Sequence, residues 1–178
     1  MALSILIRYP LNSSISSYTV PSTVKTIEGK AFDSSRNLKS LSLGNAVTSI
    51  KDDAISECTA LSEITVAEGN KYYSSDKTGV LFNANKTALI KYPSANAAKT
   101  YVVPNTVTTI GKEAFCNCRS LTSVTIGNSV TSIGKEAFSN CSSLTSIYCK
   151  PTTPPTGYWY TFVENSEFKI YVPRNSVE

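Results

Sequence analysis

Residues 107–129 read VTTIGKEAFCNCRSLTSVTIGNS, and the next 23 residues, from Val130, read VTSIGKEAFSNCSSLTSIYCKPT. A near copy in immediate succession restricts the fold more than any other feature of the chain. Each copy must take the same local structure and pack on its neighbour. Two further copies lie upstream, VKTIEGKAFDSSRNLKSLSLGNA from Val24 and VTSIKDDAISECTALSEITVAEG from Val47, again 23 residues apart.

Stacked on one another, the four copies give apolar columns. Val24, Val47, Val107 and Val130 form one, and Ile27, Ile50, Ile110 and Ile133 another. Ala31, Ala54, Ala114 and Ala137 sit beside Phe32, Ile55, Phe115 and Phe138. The pattern Leu-x-x-Leu-x-Leu then follows, with columns led by Leu38, Leu41 and Leu43. Its last two positions alternate with period two, which places them on one face of a short strand. One coil has too few apolar side chains to bury that face alone. Coils stacked at the strand spacing of about 4.8 Å make the columns continuous and close a core. Parallel strands centred on Leu41, Ile64, Val124 and Ile147 are therefore expected, in chain order within one sheet. The Gly-Lys-Glu-Ala-Phe stretch suits one helical or 3₁₀ turn. Gly44-Asn45 and Gly127-Asn128 mark the turn that leaves the strand.

A longer period overlies the short one. Residues 6–24 (LIRYPLNSSISSYTVPSTV) match residues 89–107 (LIKYPSANAAKTYVVPNTV) at an offset of 83. The chain thus opens partway through a unit, as in a fragment of a longer array or an array that starts on a half unit. Between the second and third short repeats lies an insert over residues 67–99. It holds two alternating stretches, 79–82 (GVLF) and 88–92 (ALIKY), separated by the turn-like 83–86 (NANK). This predicts a β-hairpin projecting from one side, preceded by a polar aromatic loop at 72–76. Its second strand recurs at residues 3–9. After Lys150 the repeat stops at PTTPP, which cannot donate to a central ladder. Tyr158, Trp159, Tyr160 and Phe162 then cluster, either as a cap over the last coil or as an aromatic binding platform. Residues 170–173 (IYVP) echo residues 101–104 (YVVP) and predict one more strand.

Composition removes several function classes. There are 17 Lys+Arg, 13 Asp+Glu and no His. The charges form no block, so no nucleic-acid footprint is present. No apolar run approaches the roughly 20 residues of a membrane span. Residues 1–11 are apolar but lack a basic start and a cleavage site, so they do not read as a signal peptide. Absence of His removes the commonest general base and metal ligand.

The run NSVTSIGKEAFSNCSSLTSI, the Gly-Val-Leu-Phe and Leu-Ile-Lys-Tyr-Pro stretches of the insert, and the Thr-Pro-Pro and Tyr-Val-Pro of the tail resemble the BspA-like leucine-rich-repeat surface proteins. The resemblance covers nearly the whole chain. Ile55 in place of Phe is a departure. The resemblance implies a mostly β member of the α/β class: a right-handed leucine-rich-repeat solenoid, one domain over 1–178, with an inserted hairpin and a C-terminal cap over 151–178. It also implies a cell-surface location, and a host extracellular-matrix or neighbouring-cell protein as partner. It supplies no ligand, because the shared motif is scaffold.

Chemistry is sparse. Cys58, Cys118 and Cys141 share one column, filled by Ser35 in the first repeat, and read as buried structural thiols. Cys149 falls in a core strand column. Cys116 falls in a polar column and reads as the accessible thiol. A zinc site from Cys116, Cys118 and Cys141 lacks the usual spacing, and a Cys118–Cys141 disulfide ranks low. Asp52, Asp53, Glu57, Glu63 and Glu68 read as a solvated face, and Lys112-Glu113 and Lys135-Glu136 as exposed ion pairs. No catalytic residue, metal or cofactor is expected.

The strand residues that point away from the core are Ser40 and Ser42, Glu63 and Thr65, Ser123 and Thr125, then Ser146 and Tyr148, with Lys150 beyond. They form a hydroxyl-rich strip that suits hydrogen bonding to a protein partner, or serves simply as a solvated sheet face. Tyr148 and Lys150 stand out, because the other copies place small residues there. Two functions follow: a non-enzymatic binding or adhesion module, or a structural spacer in a longer surface array.

Overall fold

The computed structural model describes residues 4–10, 13–157 and 169–173. Each coil contributes two short strands. In the N-terminal half the first ladder holds β1 (Ile5–Leu6), β3 (Thr26–Ile27) and β5 (Ser49–Ile50). The second holds β2 (Ser17–Thr19), β4 (Ser40–Leu43) and β6 (Glu63–Val66). The insert supplies β7 (Tyr73–Ser75) and β8 (Leu81–Asn83). In the C-terminal half, β9 (Ala88–Lys91), β11 (Thr109–Ile110), β13 (Ser132–Ile133) and β15 (Thr156–Gly157) form the first ladder. β10 (Thr100–Val102), β12 (Ser123–Ile126), β14 (Ser146–Cys149) and β16 (Lys169–Tyr171) form the second. All these ladder strands pair in parallel, and the register follows the repeat: Leu41 faces Ile64, and Val124 faces Ile147. β16 is the strand expected from the Tyr-Val-Pro echo.

The alternation within each longer strand sets burial. Leu41, Leu43, Ile64, Val124, Ile126 and Ile147 point inward and are fully buried or nearly so. Hydroxyls just before the strands tie the coils together. Thr122 Oγ1 donates to the Lys99 carbonyl at 2.9 Å, and Thr145 Oγ1 to the Thr122 carbonyl at 3.1 Å. Thr131 does the same one ladder over, to the Thr108 carbonyl at 3.2 Å. The recurrent Thr and Ser at these positions are thus part of the coil-to-coil bonding.

The Lys-Glu-Ala-Phe stretch differs from expectation: no helix occurs among the described residues. Two left-handed residues bend each coil instead. Lys30, Asp53, Glu113 and Glu136 take φ of 51–61°, and Ser34, Glu57, Asn117 and Asn140 take φ of 52–63°. Hydrogen bonding explains the preference. A helical turn would bond within itself, whereas these bends aim alternate N–H groups at the next coil. Phe115 N donates to the Ala137 carbonyl at 2.8 Å and Asn117 N to the Ser139 carbonyl at 2.9 Å. The left-handed cost of roughly 1–2 kcal/mol per residue is offset by a continuous intercoil ladder.

The parallel strands keep chain order, but they form separate sheets on either side of the insert rather than one. The hairpin does not project. β8 pairs antiparallel with β9 and with β7, and β7 occupies what reads in sequence as a polar loop. Val80, Leu81 and Phe82 are fully buried. Leu81 joins the N-terminal core, while Val80 and Phe82 join the C-terminal core. Residues 75–80 also cover the edge of β6: Ile64 N donates to the Gly79 carbonyl at 3.0 Å and Val66 N to Ser75 Oγ at 3.1 Å. Gly79 has φ of 80°, and a Cβ there would lie 2.8 Å from Glu63 Cα, so only glycine fits.

Candidate functional site

The outward positions of the second ladders make two strips, one per half. In the N-terminal strip, register sets Thr19, Ser42 and Thr65 in one row and Ser17, Ser40 and Glu63 in the other. Thr65 Oγ1 donates to Ser42 Oγ at 2.9 Å, so these hydroxyls partly satisfy one another. In the C-terminal strip, one row is Thr100, Ser123, Ser146 and Lys169, and the other is Val102, Thr125, Tyr148 and Tyr171. Glu63, Thr65, Tyr148 and Lys150 are exposed, and Ser40, Ser42, Ser123, Thr125 and Ser146 are half-buried. The residues expected to form a single face are therefore divided by the insert.

Tyr148 does not stand alone. Its ring stacks on Tyr171, with centroids 4.7 Å apart and planes 13° apart. Val102, Tyr148 and Tyr171 are 62%, 42% and 44% exposed, so this row is an apolar and aromatic ridge that no other described residue covers. Tyr171 and Val102 escaped the sequence reading of the strip. The match of IYVP to YVVP already held the signal, since it puts Tyr171 level with Val102. The cluster of Tyr158, Trp159, Tyr160 and Phe162 lies outside the described residues.

Burial holds four of the five thiols protonated, while Cys141 is lowered by its hydrogen bond with the Cys118 thiol. Cys58 and Cys141 are buried with Sγ 3.0 Å from the Phe32 and Phe115 carbonyls respectively. Burial pushes Cys58 up to about 11, which disfavours the nucleophilic thiolate. Cys116, expected to be accessible, is buried and pushed up by burial to about 12. Ser56 and Ser139 of the same column are buried as well, so the polar residue types there do not mark exposure. Burial also raises Cys118 and, more mildly, Cys149, which is half-buried against the core.

The acidic set is likewise more than a solvated face. Asp53 pairs with Lys112 at 2.7 Å, closer than Glu113 does at 3.7 Å. Glu57 accepts from Asn117 Nδ2 at 2.9 Å, and Ser56 Oγ donates to Glu113 Oε2 at 2.7 Å. These contacts span the insert and hold the second and third repeats together on the bend side. Below them a cleft of about 240 Å³ opens between Ile50 and Ile90, with Tyr73 and Lys91 in its lining. Tyr73 accepts from Ile50 N at 2.8 Å, and Lys91 Nζ donates to the Glu113 carbonyl at 2.9 Å, so its main polar groups are engaged. Among the described residues no group of His, Cys, Asp or Glu has the arrangement of a metal site.

Comparison with known sequences resolves the family. The BspA type leucine rich repeat region (6 copies) matches residues 11–94 and 92–178. The chain belongs to the BspA-type leucine-rich repeat family. No curated protein matches it. Among solved structures, the BspA-type chain is similar to a leucine-rich repeat protein from Eubacterium ventriosum, with 26% identity and a TM-score of 0.61 over 78% of this chain and 44% of that one. A leucine rich cell surface protein from Faecalibacterium prausnitzii gives 25% identity and a TM-score of 0.62, over 88% and 53% of the two chains. The pneumococcal vaccine antigen PcpA, at 24% identity and a TM-score of 0.64 over 75% and 39%, shares the fold. The BspA-type chain thus spans about half or less of these neighbours' lengths. No helix among its described residues is long and apolar enough to cross a membrane.

Proposed function

We propose that this chain is a non-enzymatic protein-binding module displayed at a cell surface, and that it binds through the Val102–Thr125–Tyr148–Tyr171 row. The observation behind this reading is the exposed, stacked tyrosine pair on a sheet face whose other residues are small hydroxyls, Val102 and Lys169. Aromatic side chains dominate interface energetics because they bury a large area with few torsions to freeze. Ser123, Ser146 and Lys169 alongside supply donors for a partner's backbone, and Lys150 adds a cation near the ridge. The similarity to a leucine rich cell surface protein supports the location. A matrix or neighbouring-cell protein is the partner class that a rigid, polar face with one aromatic ridge suits.

The test is surface plasmon resonance of the immobilised chain against purified matrix and cell-surface proteins. Tyr148→Ser and Tyr171→Ser are expected to weaken the bound partner at least tenfold. Their melting temperatures should fall by only about 2–4 °C, since the stacked pair contributes on the order of 1 kcal/mol. Binding that is indifferent to both substitutions would remove the ridge from the interface. Absence of any binding in the panel would favour the spacer function. The N-terminal strip, whose hydroxyls partly satisfy each other, suits that role better than the ridge does.

A further inference from the structure

The 83-residue offset sets β1 beside its own counterpart in the same molecule. Ile5, Leu6, Arg8, Tyr9 and Tyr18 correspond to Ala88, Leu89, Lys91, Tyr92 and Tyr101. The inner edges are used alike. Thr26 N donates to the Ser4 carbonyl and Glu28 N to the Leu6 carbonyl, as Thr109 N does to Thr87 and Gly111 N to Leu89. Residues 5 and 7 therefore direct their N–H and C=O groups to the outer edge, as residues 88 and 90 do. At β9 that outer edge is paired antiparallel with β8, Phe82 opposite Leu89 and Leu81 opposite Lys91. At β1, among the described residues, nothing pairs with it.

Burial follows the same contrast. Leu89 is fully buried and Leu6 half-buried; Tyr101 is buried and Tyr18 half-buried. Ile90 is half-buried, whereas Ile7 is 72% exposed and Ile5 48%. Lys91 is buried, with Nζ 2.9 Å from the Glu113 carbonyl, while Arg8 is exposed. Every difference has the sign expected of an edge that no strand covers among the described residues. An open, apolar strand edge is a template for a further strand.

We propose that the outer edge of β1 is a docking site for an antiparallel strand of the Gly-Val-Leu-Phe kind, carried on a β-hairpin of another unit of this same repeat type. Ile5 and Ile7 supply the backbone groups. The incoming Phe lies opposite Leu6 and over Tyr18, and the incoming Leu lies opposite Arg8. A second intact copy cannot provide this strand, because its own Val80, Leu81 and Phe82 are fully buried.

The experiment adds in trans a synthetic peptide of residues 70–86 (NKYYSSDKTGVLFNANK), closed by a disulfide between cysteines added at its ends. Saturable binding by the full chain is expected, with new hydrogen-exchange protection at the amides of Ile5 and Ile7. The Phe82→Asp peptide should bind at least tenfold more weakly. Ile7→Pro in the protein removes a donor facing the open edge and spares the bonds to β3, so it should keep the melting temperature and lose the peptide. No saturable signal up to millimolar peptide would overturn the proposal. So would binding that Ile7→Pro leaves unchanged, or self-association of the chain that protects Ile5 and Ile7 without peptide.

Discussion

In the N-terminal half, Phe32 meets Tyr9 at 5.5 Å and Tyr18 at 5.7 Å; in the C-terminal half, Phe115 meets Tyr92 at 5.2 Å and Tyr101 at 5.9 Å. The two ring trios are built from residues 83 apart and match within a few tenths of an ångström. Beyond them the halves diverge. Phe115 stacks on Phe138 at 4.9 Å, where Phe32 meets a coil carrying Ile55. The outward row is Thr19, Ser42 and Thr65 in one half and Val102, Thr125, Tyr148 and Tyr171 in the other. Interior positions are held by neighbours above and below, so a coil tolerates little change there. Outward positions meet only solvent or a partner, and there the sequence is free to specialise.

The largest expected effect concerns the insert, which feeds both interiors. Leu81 packs in the N-terminal core and Phe82 in the C-terminal one. Leu81→Ala should cost about 2–5 kcal/mol and Phe82→Ala about 3–5 kcal/mol, as transfer and cavity terms add. Hydrogen exchange would separate them. Leu81→Ala should first expose amides of β4 and β6, and Phe82→Ala those of β9 to β12. Equal loss in all coils from either variant would show that the halves are a single cooperative interior.

High pH sharpens the same comparison. Burial raises Cys58, Tyr18 and Tyr73 in the N-terminal half, and Cys116, Cys118, Cys149, Tyr92 and Tyr101 in the C-terminal half. Cys141, lowered by its bond with the Cys118 thiol, acts in the opposite sense and offsets part of the Cys118 contribution. A raised acid keeps its proton in the folded chain while the unfolded chain gives it up. Stability is therefore full below the ordinary thiol value of 9.0 and falls as pH rises toward the folded values of about 11 for Cys58 and 12 for Cys116. Urea midpoints measured at a series of pH values should be flat up to about pH 8 and then decline. The C-terminal half should unfold first, because it holds more of the raised groups. A midpoint that rises above pH 9 would contradict the burial of these thiols and phenols.

The interior was legible from sequence because stacking forces identical columns, and the columns from Val24 to Ile147 needed only alignment. Parallel pairing and register came with them. The bends were not legible. Lys-Glu-Ala-Phe has good helix propensity, and its left-handed residues are Lys, Asp and Glu rather than Gly, since the intercoil ladder overrides the local preference. The insert was legible as a hairpin but not in its placement. Its apolar Val80, Leu81 and Phe82 alternate too little for a one-faced projecting hairpin, and a two-faced strand belongs between two cores. Of the strip, the small hydroxyl residues alternate with the buried strand positions, as period two requires. The ridge was only half visible, because Tyr171 lies in a coil whose repeat signature has decayed to Tyr-Val-Pro.

The smallest effect tests whether one column is equivalent in both halves. Cys58, Cys118 and Cys141 direct their thiols at the carbonyls of Phe32, Tyr92 and Phe115, at 3.0, 3.9 and 3.0 Å. Ser35 occupies the same slot above Tyr9, where it is buried with no partner for its hydroxyl among the described residues. A buried hydroxyl without a hydrogen bond costs about 1–3 kcal/mol in lost hydration. A thiol loses less, and its larger sulfur fills more of the slot. Ser35→Cys should therefore stabilise the chain by about 1 kcal/mol and raise the melting temperature by about 2–4 °C. The reverse substitution, Cys58→Ser, should lower it by a similar amount. If Ser35→Cys destabilises instead, the slot above Tyr9 is too small for sulfur, and the first coil is packed differently from its three successors.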